Sequence, residues 1–438
     1  MEPTTKMNNE VGKNHFKDVL MMSFCFFGIF FAFNTSQSLQ TSVSGALGYL
    51  NLIFLYTMFS ILSLFGPRIV AALNPKYSML IASTAYFLVI VVNFFPYWYI
   101  QVPANALNGV GAAVLWTAQG VYLSRCALWD SRTSSKSFAE TTSEYNGLFF
   151  SIFQFTGCLG TLVCGLIRLF FPSASNNVLF AILSAVALIA VIMLIFLPNV
   201  HSYESQSKNN DELSIVSLCE TFSLLLRSRE LLLMLPLILF NGMSLAFIVG
   251  DVTRDISKAY FGDAWVLIIT SVFYGSNALF SYVFGKLSGK GLGRRGCCAV
   301  AFVTQMIAFL LIIFYPYHVY SKKWDYVVVL TTILLLACGD AVWESQPPAI
   351  LQSFYGLDRE RNAAIANLKM WQSIGNVIQF VIGITLKMEK KIVYKSTILL
   401  SMLTIGYVCL VYLDCKVHKI DMKKGESSLL LSAIITEE

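Results

Sequence analysis

The chain has 438 residues, 56% of them hydrophobic and only 13% charged, against about 45–50% and about 25% in soluble proteins. So few polar side chains cannot cover a soluble globule of this size, which excludes a soluble enzyme and makes the lipid bilayer the solvent. The net charge of +6 comes from single cations between apolar runs, with no basic face interleaved with aromatics, so no nucleic-acid partner is expected.

A membrane-crossing helix needs about 20 mainly apolar residues, and the sequence offers twelve such stretches. Residues 1–18 are polar and read as a cytosolic N-terminus without the short basic start of a cleaved signal peptide. Six spans follow at about 20–40, 45–65, 77–95, 99–123, 146–170 and 178–197, forming an N-terminal bundle over 19–197. A Ser/Asn-rich linker, 198–230, leads to six more at about 231–251, 265–285, 296–315, 327–347, 364–386 and 396–414. These form a C-terminal bundle over 231–414, and residues 415–438 are a tail. Within the linker, Leu213, Val216, Phe222 and Leu226 recur at helical spacing, which predicts a helix lying in the membrane interface.

Twelve spans bring both termini to one side. Roughly two-thirds of the 31 Lys and Arg lie on that side, so the positive-inside rule makes both termini cytosolic. The ten cysteines lie mostly inside or at the ends of apolar runs, which speaks against a disulfide framework. The four histidines sit in connecting segments without metal-ligand spacing, so no metal or cofactor is expected. The sequon Asn34-Thr35-Ser36 falls inside the first span, out of reach of glycosylation.

The halves repeat. Phe65-Gly66-Pro67-Arg68…Leu73-Asn74-Pro75-Lys76 aligns without gaps on Phe284-Gly285-Lys286-Leu287…Leu292-Gly293-Arg294-Arg295. Trp116-Thr117-Ala118-Gln119 aligns with Trp343-Glu344-Ser345-Gln346, and Phe153-Gln154-x-x-Gly157 with Trp371-Gln372-x-x-Gly375. The pairs occur in the same order in both halves. Two pseudo-symmetric six-helix bundles in an all-α membrane protein describe the major facilitator superfamily fold. Gly285, Gly289, Lys290, Gly293, Arg294 and Arg295 resemble that superfamily's cytosolic loop signature, with glycines for a tight turn and basic residues at helix ends. The first-half copy lacks the acidic residue and has Asn74-Pro75 in place of a glycine-basic pair.

Ionisable groups inside a span are costly and therefore functional candidates. Asp340 and Glu344 lie one turn apart in the tenth span, roughly 10 and 5 Å from its cytosolic end at about 1.5 Å per residue. Lys369 in the eleventh span lies at a depth that permits pairing with either carboxylate. From Lys369 the stripe continues through Gln372, Asn376 and Gln379 on one helix face, which cannot face lipid. Asn34 and Gln37 in the first span, Asn108 and Gln119 in the fourth and Gln154 in the fifth complete the candidate lining of a polar cavity between the bundles. Interhelical hydrogen bonding is the alternative role for each. Asp251 and Asp255, near the outer end of the seventh span, read as solvated or paired with Arg254 or Lys258. No nucleotide loop, nucleophile elbow or metal motif appears, so no enzyme is expected.

The stretches FFAFNTSQSLQTSV, NGVGAAVLWTAQGVYL, YNGLFFSIFQFTG, SRELLLMLPLILFNGMSLAFIVGDVT, CGDAVWESQ and LKMWQSIG run in order along nearly the whole chain. They resemble the Unc-93-like proteins, a divergent branch of the major facilitator superfamily. The resemblance implies regulation of ion transport linked to potassium homeostasis, or chaperoning of other membrane proteins, with a channel or another membrane protein as partner. The polar stripes and the carboxylates imply the alternative, a secondary transporter of a small solute or cation. Pro347-Pro348 after GDAVWESQ and a very short first outward loop depart from many relatives.

Glu426-Ser427-Ser428-Leu429-Leu430-Leu431 in the tail fits an acidic dileucine sorting signal, which makes a plasma or endolysosomal (vacuolar) membrane the expected location. If the signal acts through Glu426, Leu430 and Leu431, Leu430→Ala with Leu431→Ala moves the protein from endolysosomal membranes to the cell surface. An unchanged distribution by surface labelling would contradict the signal.

Overall fold

The computed structural model describes residues 15–133, 138–173, 175–200, 223–290, 293–316, 321–354, 358–386 and 391–435. Among the described residues, twelve long helices carry the fold. In the first half they are α1 (Phe16–Val43), α2 (Ala46–Ser63), α3 (Pro75–Val91), α4 (Trp98–Thr133), α5 (Phe138–Phe170) and α6 (Asn176–Ile195). In the second they are α7 (Arg229–Ala246), α8 (Asp263–Lys290), α9 (Gly293–Phe314), α10 (Lys322–Phe354), α11 (Asp358–Thr385) and α12 (Lys391–Ile435). A short helix, Gly66–Leu73, joins α2 to α3. The predicted linker helix falls mostly on residues 201–222, outside the described residues.

Ten apolar segments among the described residues are long enough to cross a bilayer. The two long helices not among them are α4 and α11, which hold Asn105, Asn108 and Gln119, and Lys369, Gln372, Asn376 and Gln379. Such helices are stable in a membrane only when other helices shield their polar stripe from lipid. Accordingly Asn105, Asn108, Gln119, Gln372, Asn376 and Gln379 are all buried.

The helix pairing repeats with a period of six. In the first half α2 packs on α4, α3 on α4 and on α6, and α1 on α5 and on α6. In the second half α8 packs on α10, α9 on α10 and on α12, and α7 on α11 and on α12. The halves then meet along two seams, α2–α11 and α5–α8, which exchange under the same symmetry. This is the two-bundle architecture expected of the sequence repeat. Even the aligned loops agree: Asn74 and Gly293, matched by the gapless repeat, both take positive φ, at 70° and 66°. Asparagine is among the few side chains that tolerate such a backbone, which explains how the first half dispenses with the glycine.

Each bundle has its own apolar core, and a third small core of Tyr49, Leu52, Ala246 and Phe380 sits where α2, α7 and α11 meet. Helix α7 does not stop at Ala246. It continues as a π-helix, Phe247–Phe261, whose wider turns shift the faces presented by the residues that follow.

Close approach of α7 to α11 depends on two glycines. A Cβ on Gly242 would strike the backbone carbonyl of Gln372, and one on Gly375 would strike that of Leu239. Gly120, by contrast, faces open space. Gly242→Ala is therefore expected to destabilise the folded protein by about 1–3 kcal/mol through overpacking. Gly120→Ala is expected to be neutral or stabilising by up to about 1 kcal/mol. Thermal unfolding in detergent compares the two, and equal midpoints would contradict the packing.

Candidate functional site

The π-helical extension of α7 turns two carboxylates into the protein rather than out to solvent. Asp251 is fully buried and Asp255 nearly so. Asp251 accepts hydrogen bonds from Lys395 Nζ at 2.5 Å, Tyr49 Oη at 2.8 Å and Gln379 Nε2 at 2.7 Å. Asp255 accepts from Arg254 Nε at 2.8 Å, pairs with Lys391 Nζ at 2.9 Å and lies 3.4 Å from Lys395 Nζ. The Arg254 guanidinium also stands 4.6 Å from the centre of the Tyr49 ring. Lys395 itself has no solvent exposure. Two acids are thus held by three cations, and both oxygens of Asp251 have a donor.

Of the sequence expectation for Asp251 and Asp255, the pairing with Arg254 is present at Asp255, while solvation is corrected, since both acids are buried. Hydropathy places the end of the seventh span at 251 and the start of the twelfth at 396, leaving the charges in exposed loops. In the structure α7 runs on helically to Phe261 and α12 begins at Lys391, so the charged flanks lie inside the fold. One signal was available: acids four residues apart (251, 255) and lysines four residues apart (391, 395) each present one helix face. Tyr49 carries no comparable signal.

The cluster lies at the membrane side away from the chain termini. Of its members only Tyr49 comes from the first bundle. The ion pairs therefore tie α7 to α12 within the second bundle, while the Tyr49 hydroxyl reaches across the α2–α11 seam. Near the other end of that seam Ser60 Oγ donates to the backbone oxygen of Met370 at 3.2 Å.

A second polar group occupies the other half of the second bundle. Gln372, whose backbone Gly242 admits, donates from Nε2 to Glu344 Oε1 at 2.7 Å and accepts from Lys369 Nζ at 3.1 Å. Asn241 Nδ2 donates to Trp343 O at 3.1 Å and lies 3.4 Å from Glu344 Oε1. Among the described residues Lys369 thus reaches Glu344 through Gln372, not by the direct pairing that depth alone permits. Asp340 stands apart from Lys369 and is bonded to Asn277 Nδ2 at 2.6 Å. A cavity of about 10 Å³, lined by Asn241, Trp343, Glu344, Lys369 and Gln372 among others, is large enough for about one water.

Of the remaining cavity candidates, four have hydrogen-bond partners within the protein. Asn34 Nδ2 donates to Thr156 Oγ1 at 3.0 Å, joining α1 to α5. Gln37 Nε2 donates to Tyr56 Oη at 2.8 Å. Asn376 Nδ2 turns back to Gln372 O at 3.0 Å, and Gln379 serves Asp251. Asn108 is fully buried with neither amide atom bonded, and Gln119 is buried with Nε2 unbonded. Gln154 is half-buried. Between these polar groups the first bundle is filled with aromatics: Phe30 stacks on Phe26, meets Phe33 and Phe153 edge to face, and tilts against Tyr86 and Trp116. Of the loop motif, Gly293 makes the positive-φ turn and Arg295 is exposed; the side chains at Gly285, Gly289, Lys290 and Arg294 lie outside the described residues. The backbone at Glu426, Leu430 and Leu431 continues α12, and their side chains likewise lie outside the described residues.

Removing one partner of a buried ion pair strands the other in a low dielectric, at a cost of about 3–5 kcal/mol. Asp251→Asn is expected to lower the unfolding midpoint in detergent by that order, and Lys395→Met added to it to recover part of the loss. Purely additive losses would contradict the coupling. Tyr49→Phe removes one hydrogen bond to a charged group and is expected to cost about 1.5–3 kcal/mol.

The chain matches the family model described as ion channel regulatory protein UNC-93 over residues 39–411. It is similar to protein unc-93 homolog A of Bos taurus, 29% identical over 408 residues, covering 84% of this chain and 87% of that protein. It is similar to the putative potassium channel regulatory protein unc-93 of Caenorhabditis elegans, 26% identical over 419 residues, covering 85% of this chain and 57% of that protein. Its fold is like that of a D-xylose-proton symporter crystal structure, with a TM-score of 0.68 at 13% identity, over 92% of this chain and 97% of that one.

Proposed function

The chain belongs to the ion channel regulatory protein UNC-93 family, and from that premise we propose that it regulates ion transport, potassium transport above all, through a membrane partner. The observation that carries this reading is the family match across residues 39–411, which takes in ten of the twelve long helices whole, α2 to α11, together with the end of α1 and most of the apolar part of α12. The partner is a channel or another polytopic membrane protein, met within the bilayer.

The interior supports regulation rather than turnover. A solute cavity needs polar groups free to bind a guest, whereas Gln37, Gln372 and Gln379 are each hydrogen-bonded to another side chain of the protein. Both seams between the bundles are also tightly packed: Ser60 bonds α2 to α11, the Tyr49 ring packs on Phe380 of α11, and Gly157 and Gly165 of α5 lie against Tyr274 and Ile268 of α8. The transporter alternative rests on the polar stripes and carboxylates, on Asn108 and Gln119, which are buried with amide atoms unbonded, and on the fold shared with the D-xylose-proton symporter. Rocking of two such bundles is how that fold gives alternating access.

The side of the termini carries most of the Lys and Arg, which supports cytosolic termini and an outward or lumenal Asp251 cluster. The division into bundles over 19–197 and 231–414, joined by a cytosolic linker over 198–230, belongs to the same reading. So does residence in a plasma or endolysosomal membrane.

Reconstitution in liposomes separates the two readings. The purified protein alone is expected to give no saturable flux of potassium or small organic solutes, and a channel is expected to co-purify with it from native membranes. Saturable uptake abolished by Gln119→Ala or Gln372→Ala would contradict regulation and establish transport.

A further inference from the structure

Asp340 is the buried acid that the charge networks leave out. It sits mid-way along α10 with 2% of its surface exposed. Its Oδ2 accepts from Asn277 Nδ2 at 2.6 Å, while Oδ1 is sealed from solvent and has no hydrogen-bond partner. Four helices pack against α10, namely α7, α8, α9 and α11. From α8 come Asn277 and the phenol of Tyr274, which is within electrostatic reach. Helix α7 meets α10 through the uncharged Asn241, and α9 through the uncharged Gln305, which accepts from Trp343 Nε1. Helix α11 brings Lys369, already bonded to Gln372. The nearest charge on α10 itself is Glu344, one turn away and of the same sign.

No cationic side chain among the described residues lies within 4 Å of the Asp340 carboxyl. A carboxylate so placed has a like charge beside it and a single amide donor, and low dielectric expels unpaired charge. A metal cation needs several converging oxygens. A proton needs neither room nor further ligands.

We propose that Asp340 is a proton-binding site, neutral in this conformation, and that Lys369 is the counter-charge that replaces the proton when it leaves. The step is a simple dissociation that waits on an opening of the site: the Oδ1–H bond breaks, a water admitted by that opening takes the proton, and the carboxylate left behind gains an electrostatic claim on the Lys369 ammonium. Lys369 is held by a neutral amide oxygen, so it is the cation most readily drawn away. Its transfer would loosen the Gln372–Glu344 link and change how α11 lies on α10. The protein thereby gains a sensitivity to acidity that is independent of whether it regulates a partner or moves a solute.

Infrared spectroscopy of the purified, lipid-embedded protein reads the proton directly. At neutral pH the wild type is expected to show the carbonyl stretch of a protonated carboxylic acid that Asp340→Asn lacks. Raising the pH should abolish it. In Lys369→Met, which removes the counter-charge, the band should survive to a pH at least about one unit higher, a tenfold change in proton affinity. If Asp340→Asn gives no folded protein, Asp340→Glu must shift the same band. A carboxylic band unaffected by every substitution at Asp340 would overturn the site, and a titration midpoint indifferent to Lys369→Met would overturn the exchange.

Discussion

The Asp251–Lys395 pair sets the terms for the far half of the second bundle. Neither side chain has any solvent exposure. Two bare ions in so low a dielectric are tolerable only when geometry is good and the remaining lone pairs and protons are satisfied. Tyr49, Gln379, Asp255, Lys391 and Arg254 supply that satisfaction, and supplying it fixes where the ends of α2, α7, α11 and α12 must lie. The same demand explains the π-helical continuation of α7, which presents Asp251 and Asp255 together. It explains too the close approach at Gly383, where a Cβ would strike the Tyr49 ring.

The two bundles share a helix plan but not a chemistry. In the first, the space between α1, α3, α4 and α5 is packed with aromatic rings, whose edge-to-face contacts each add about 0.5–1.5 kcal/mol beyond burial. In the second, carboxylates, amides and lysines occupy the interior, from Asp251 at the far end to Glu344 at the other. Both halves thus rest on apolar cores, and the second adds buried ion pairs to its own. Tyr49 is the principal side chain through which the first bundle senses the far-side cluster.

The bilayer made much of this legible in advance. Hydropathy must be written openly into a span, so the twelve helices could be read directly. The repeat could be read because it aligns without gaps, down to the positive-φ position shared by Asn74 and Gly293. The stripe Lys369, Gln372, Asn376 and Gln379 could be read because a polar face has nowhere to go but inward. What hydropathy misdrew was the helix ends. It counted Lys391 and Lys395 as loop residues because charge lowers any window average, although both lie on α12. Periodicity assumes 3.6 residues per turn and so gives no warning of a π-helix at 247–261. Depth correctly allowed Lys369 to approach Glu344, but it could not show that Gln372, equally long, stands between them.

The central claim is that the Tyr49 hydroxyl, by bonding to a carboxylate fixed within the other bundle, holds the far side of the α2–α11 seam closed. Spin labels at Trp98 on the first bundle and Thr385 on the second, both exposed at that side, read the separation by pulsed electron resonance. The account predicts one short distance in the wild type and, in Tyr49→Phe, the growth of a longer one while the ring packing against Phe380 is retained. Identical distance distributions in the two proteins would contradict it.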